Sequence, residues 1–209
     1  RMDLVDTHCH LTFEPLAEDV PGVLERSRQA GVTAWITVGT SLADSRKAVE
    51  LAGRHENLYA SVGIHPHDAK DADAPALGEL KELARSEKVV AIGETGLDFY
   101  YDHSDRAAQV AAFHRFVELA RRVGKPVVCH IRDAHAEARA VLTESRAADL
   151  GRYPVRSLLA SYHRELTEED RVDMAFRYDK AAFSLRFETA GALALRMSGS
   201  LFERAVQPG

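Results

Sequence analysis

The strongest constraint on the fold is a regular alternation of short apolar runs with longer amphipathic stretches along residues 4–144. The runs have the length of strands, and the stretches repeat apolar residues at helical spacing. We predict the strands Leu4–Thr7, Val32–Val38, Leu58–Val62, Val89–Ile92 and Pro126–Cys129. We predict the helices Leu16–Ala30, Ala43–Gly53, Ala74–Ser86, Asp105–Val123 and Ala134–Glu144. Consecutive β-α units of this kind indicate parallel strands joined by helical crossovers.

Residues that can bind metals follow several of these predicted strands. They are His8 and His10 after the first, His65 and His67 after the third, Glu94 after the fourth, and His130 at the end of the fifth. In a (β/α)8 barrel the carboxyl ends of the strands converge on one face. An open, dinucleotide-binding sheet usually has a glycine-rich loop after its first strand, and this chain has none there. The α/β pattern therefore favours a TIM-type (β/α) barrel.

The side chains of His8, His10 and Glu94 suit a metal centre. His8 and His10 are separated by one residue, so on an extended strand both imidazoles point to the same side. Neutral imidazole is the commonest protein ligand for zinc. Glu94 lies between Gly93 and Gly96, where a carboxylate could bind one metal or bridge two. The alternative is that Glu94 caps an amide of a loop.

The remaining candidates include a cation suited to phosphate. His130 directly follows an apolar run, and Arg132 could hold a phosphate by paired hydrogen bonds, with a structural pair to Asp133 as the alternative. Of His65 and His67, we expect one to reach the site and the other to face solvent. We expect structural or exposed positions for His55, His103, His114 and His135.

Composition limits the class of protein. A chain of 209 residues can bury a core, and we expect a single domain over residues 1–209. Its net charge of -5 gives no basic footprint for tight nucleic-acid binding, although an enzyme can meet phosphates through metal ions. The two cysteines indicate a reducing compartment. We expect a cytoplasmic, monomeric protein with no membrane association and no protein partner.

Four segments carry a specific resemblance. They are Asp6–Leu11 (DTHCHL), Val62–His67 (VGIHPH), Ile92–Asp102 (IGETGLDFYYD) and Gln109–Ala134 (QVAAFHRFVELARRVGKPVVCHIRDA). Together, within residues 1–145, they resemble the TatD family of metal-dependent deoxyribonucleases, part of the amidohydrolase-like barrels. The resemblance implies a barrel that binds one or two divalent metal ions, zinc, manganese or magnesium, and hydrolyses phosphodiester bonds in DNA.

The resemblance also implies roles for individual residues. His8 and His10 would hold one metal, His130 would hold the second, and Glu94 would be the catalytic residue shared between the two. His65 and Arg132 look like contacts to the substrate phosphate. Two alternatives stay open: a hydrolase of another ester or amide on the same barrel, and a catalytically impaired barrel that keeps the ligands.

The C-terminal third departs from the family. Two sequence motifs that supply further metal ligands in the family, His-Cys-Phe and Glu-Thr-Asp, are both missing. Glu188 and Thr189 are followed by Ala190 instead of aspartate. Arg156–Leu159 can be encoded by codons that give Val-His-Cys one base later, so we hypothesise a shifted reading frame, which resequencing of the coding DNA tests. We expect strands at Val155–Ala160 and Ala181–Leu185 and no eighth strand, which leaves the barrel incomplete or irregular at its C-terminal strands and predicts low activity.

Overall fold

The computed structural model describes residues 4–145 and the backbone of the strand at 158–162. Its strands are β1 (Leu4–Cys9), β2 (Val32–Val38), β3 (Leu58–Val62), β4 (Val89–Asp98), β5 (Val127–Arg132) and β6 (Leu158–Tyr162). They form one parallel sheet whose spatial order follows the chain from β1 to β6. This curled succession of parallel strands confirms the α/β, TIM-type prediction. The predicted strand Ala181–Leu185 and the segment Glu188–Ala190, where the family's Glu-Thr-Asp motif is missing, lie outside the described residues.

Helices occupy the connections between these strands. They are α1 (Val20–Gln29), α2 (Leu42–Arg54), α3 (Ala74–Leu83), α4 (Arg106–Val123) and α5 (His135–Glu144), with short 3-10 helices at Leu16–Asp19 and Pro66–Asp71. Helix α4 buries Phe113 and Phe116 completely against the sheet. In the described part of the chain, none of the helices combines the length and the apolar character needed to cross a bilayer.

Helix ends follow the chemistry of their capping residues. The Asp105 carboxylate accepts the backbone N–H groups of Ala107 and Ala108, and Gly124 ends α4 in the left-handed region at φ 68°. The predicted first helix is instead divided, because Asp19 accepts the N–H of Gly22 and caps α1. Residues Leu16–Asp19 before it form a 3-10 helix.

Strands β4 and β5 extend further than their sequences suggested. We predicted that β4 ends at Ile92 and β5 at Cys129, but they continue to Asp98 and Arg132. The glycines of β4, which lie beyond the predicted end of the strand, permit a close approach of β5. A Cβ atom built on Gly96, whose φ is +139°, would lie 2.0 Å from the carbonyl oxygen of His130. Consequently Glu94 and His130 lie within strands, which fixes their backbones more firmly than a loop would.

Replacing Gly96 with alanine tests this close approach. The added methyl group would collide with β5 backbone, and the positive φ disfavours any side chain, so we expect the free energy of unfolding to fall by about 2–4 kcal/mol. Chemical denaturation measures the change. Gly78→Ala is the control, because nothing lies within 4 Å of a Cβ at this position in α3 and alanine favours a helix. A stability unchanged by Gly96→Ala would contradict the strand pairing.

Candidate metal centre

The sheet brings together the four residues that the sequence suggested as metal ligands. His8 lies in β1, His10 directly follows it, Glu94 lies in β4 and His130 lies in β5. Glu94 and His130 are buried, and the two other histidines are partly exposed. The sheet positions these side chains within contact distance, although Glu94 is separated from His10 by more than eighty residues of chain. Their roles as ligands stay a prediction.

Glu94 contacts a different group with each of its carboxylate oxygens. Oε2 lies 3.4 Å from Nε2 of His8 and 3.9 Å from Nε2 of His10. Oε1 lies 3.3 Å from Nδ1 of His130. One carboxylate therefore stands between two sets of imidazole nitrogens, which is the arrangement of a residue shared by two cations.

The spacing of His8, His10 and Glu94 fits a divalent metal. Nε2 of His8 and Nε2 of His10 are 3.3 Å apart, close to the ~3.4 Å between ligands that bonds of about 2.1 Å give in a tetrahedral zinc site. A single proton within this group could form a hydrogen bond between only two of the three atoms, which are the two nitrogens and the carboxylate oxygen. A metal cation could bind all three atoms. The donor set of two imidazoles and a carboxylate thus suits zinc or manganese.

The electrostatic environment favours the protonation states that metal ligands need. Burial alone would raise the pKa of Glu94, but the facing imidazoles of His130 and His8 hold that pKa well below its usual range. Burial lowers the pKa of His10, which keeps its imidazole neutral. An ionised carboxylate and a neutral imidazole are the forms that bind metal.

His65 lies beside Glu94 and His130, but its ring has the character of a hydrogen-bond donor. Its ring stacks edge-on to that of His130 at a centroid distance of 4.3 Å, and His65, Glu94 and His130 could all reach one ion. However, the backbone N–H of His67 donates to Nδ1 of His65 over 3.2 Å. Burial and the neighbouring His130 lower the pKa of His65 to about 3. A neutral ring that accepts at Nδ1 carries its proton on Nε2, so His65 suits a contact to an anion.

Asp98 is a buried residue of the site that sequence reasoning missed. Its Oδ2 accepts hydrogen bonds from Nε2 of His67 at 2.9 Å and from Nε2 of His130 at 3.0 Å. Its Oδ1 accepts the backbone N–H groups of Tyr100 and Tyr101. Burial opposes ionisation of Asp98, but these bonds hold its pKa at about 2. Since the carboxylate only accepts, His130 carries its proton on Nε2 and directs the lone pair of Nδ1 toward Glu94.

Gln109 of α4 fixes the backbone on either side of this carboxylate. Its side chain accepts the N–H of Asp98 at 2.7 Å and donates to the carbonyl groups of Asp98 and Ser104. Gln109 is completely buried. The helix therefore holds the end of β4, and through Asp98 it orients the imidazole of His130.

The other predicted residues differ in their positions. The guanidinium of Arg132 lies over the rings of Tyr100 and Tyr101, at 4.1 and 4.5 Å from their centroids. We expected either His65 or His67 to face solvent, but both join the site: His67 bonds to Asp98 and is only 29% exposed. His103 is exposed, as expected, and contacts the rings of His67 and Tyr101.

Comparison with known proteins identifies the family. Residues 5–172 match the family described as TatD related DNase, and this chain belongs to that family. The match confirms the resemblance in residues 1–145 and extends beyond it. Relatives include the 3'-5' ssDNA/RNA exonuclease TatD of Edwardsiella piscicida, 42% identical over 140 residues, which are 66% of this chain and 54% of the relative. Another is the Escherichia coli metal-dependent hydrolase YcfH, uncharacterized by name, 37% identical over 153 residues, or 72% and 57% of the two chains.

Solved structures agree on the fold. The Escherichia coli TatD homolog YJJV superposes with a TM-score of 0.71 at 28% identity, covering 86% of this chain and 65% of that one. A TatD-family hydrolase from Entamoeba histolytica gives a TM-score of 0.72 at 23% identity, over 85% and 63% of the two chains. The chain spans about half the length of the curated relatives it matches. The family and its metal-dependent relatives agree with the His and Glu groups that could bind metal here.

Proposed function

We propose that this chain is a metal-dependent phosphodiesterase that hydrolyses DNA, with its reaction centred on Glu94. The observation that carries the proposal is the division of the Glu94 carboxylate between His8 and His10 on one oxygen and His130 on the other. Family membership, and relatives named as single-strand exonucleases, support nucleic acid as the substrate. Divalent metals, when bound, would lower the pKa of a bound water and offset the charge that grows on phosphate oxygens.

The chain's own residues position the substrate in this proposal. The charge on Glu94 favours cations on both of its sides, and His8, His10 and His130 offer lone pairs to them. Nε2 of His65 donates a hydrogen bond to a non-bridging oxygen of the phosphate. Arg132 supplies a fixed positive charge at the end of β5. The phosphodiester would then lie between the metal groups and these two donors.

Hydrolysis of end-labelled DNA tests the proposal. Protein treated with a chelator should be inactive, and addition of zinc, manganese or magnesium should restore release of nucleotides. Parallel assays with a p-nitrophenyl ester and an amide distinguish a phosphodiesterase from a hydrolase of other bonds. Protein that binds metal but hydrolyses none of these substrates would contradict the proposal and identify a catalytically impaired barrel.

A further inference from the structure

Two exposed aromatic rings, of Phe13 and Tyr100, each lie against a residue of the site. Phe13 is 44% exposed, and one face of its ring stacks on His10 with an interplanar angle of 16°. Tyr100 is 59% exposed, and Arg132 covers one face of its ring. Among the described residues, no other ring is stacked face to face on either of these two. Each therefore presents an aromatic face beside a residue of the site.

Exposure of a large aromatic ring to water is unfavourable in free energy, so a ligand that covers such rings beside the site would be stabilised. Among the described residues, the exposed large hydrophobic side chains are Phe13, Leu16, Tyr100 and Tyr101. Three are aromatic, and all three contact a side chain of the site or its loop. The Nε–H of Arg132 is buried and has no hydrogen-bond partner within the described part of the chain. Exposed aromatic faces beside a guanidinium whose Nε–H has no partner among the described residues suit a nucleobase and its phosphate.

We propose that nucleobases of a single-stranded nucleic acid stack on Tyr100 and on Phe13, one on each side of the phosphodiester at Glu94. Arg132 holds the ring of Tyr100 from behind and donates to a neighbouring phosphate. In a duplex, the faces of the base pairs are stacked on one another. Only unpaired bases can therefore stack on both aromatic side chains. The inference rests on the proposed function, since it assigns base-stacking residues to the same site.

Binding of two labelled single strands tests the stacking directly. One strand carries its bases, and the other has the same length and an abasic backbone; fluorescence anisotropy with a chelator present reports the Kd of each. We expect Tyr100→Ala and Phe13→Ala each to weaken binding of the strand with bases by about 5- to 160-fold, which corresponds to loss of one stacked base. Neither variant should change the Kd of the abasic strand by more than twofold.

Conservative variants separate the ring from other effects. Tyr100→Phe keeps the aromatic face and should bind like the original protein, while Leu16→Ala removes an exposed apolar side chain outside the proposed contacts. Equal binding of the strand with bases by Tyr100→Ala and Tyr100→Phe, or equal losses on both strands, would overturn the stacking proposal. Turnover measured on the same samples with metal restored reports separately on the proposed function, because base stacking contributes to Kd even where hydrolysis fails.

Discussion

Replacing Glu94 with glutamine should reduce the affinity for divalent metal at least about 100-fold and abolish hydrolysis. The amide has no charge and offers one lone-pair oxygen, so it can face only one of the two imidazole groups that Glu94 contacts. Loss of outer hydrogen-bond partners of metal ligands already costs about 10- to 100-fold, and a shared ligand should cost more. Titration against a chromophoric chelator measures the affinity, and release of nucleotides measures hydrolysis.

Glu79→Gln is the matched control for this substitution. Glu79 is exposed, lies in α3 and pairs with Arg46 of α2, away from the site. Exposed ion pairs contribute little to stability, so this variant should bind metal and hydrolyse DNA like the original protein. Two metals bound to folded Glu94→Gln with unchanged affinity would refute the shared role of Glu94.

Replacing Asp98 with asparagine should weaken one metal position about 10- to 100-fold and leave the other intact. The Asp98 carboxylate accepts hydrogen bonds from both His67 and His130. An uncharged amide oxygen at that position would hold the two imidazoles less strongly than the carboxylate does. His130 would lose the bond that fixes its tautomer, whereas the ion-pair contacts of His8 and His10 among the described residues are with Glu94. The expected result is a biphasic metal titration in which one phase shifts to higher metal concentration and the other does not.

The selective effect distinguishes a positioning residue from a merely structural one. A general loss of folding would weaken both metal positions and lower the thermal stability of the protein. Asp102→Asn controls for the change of charge, because Asp102 is exposed and pairs only with Arg106 among the contacts described for it. Equal weakening of both positions in Asp98→Asn would show that the residue supports the fold and does not orient His130.

Local patterns predicted most of the fold because apolar runs and capping residues determine it. Strands β2 and β3 have the predicted bounds, and Asp105 and Gly124 delimit α4 as expected. The predicted strand β4 is too short because glycines, such as Gly93 and Gly96 here, usually interrupt strands. Here both glycines are required by contact with β5, which lies more than thirty residues further along the chain. A pattern read along the sequence cannot contain this contact.

The same error concealed Asp98. A prediction that ends β4 at Ile92 leaves the segment after Gly93 outside any strand, where an aspartate is ordinary. With the strand extended, Glu94 and Asp98 are four residues apart, a spacing that places alternate side chains on one side of a strand. That spacing was the available signal. The bonds from His67 and His130 to Asp98 join different strands, so only the folded chain reveals them.

The most direct test of the central claim is anomalous diffraction from crystals soaked with manganese or zinc after removal of endogenous metal. The shared role of Glu94 predicts two anomalous peaks, one bonded to Oε2 of Glu94 together with His8 and His10, the other bonded to Oε1 together with His130. A single peak on His8 and His10 that does not contact Glu94, or no peak beside Glu94 at saturating metal, would contradict the claim.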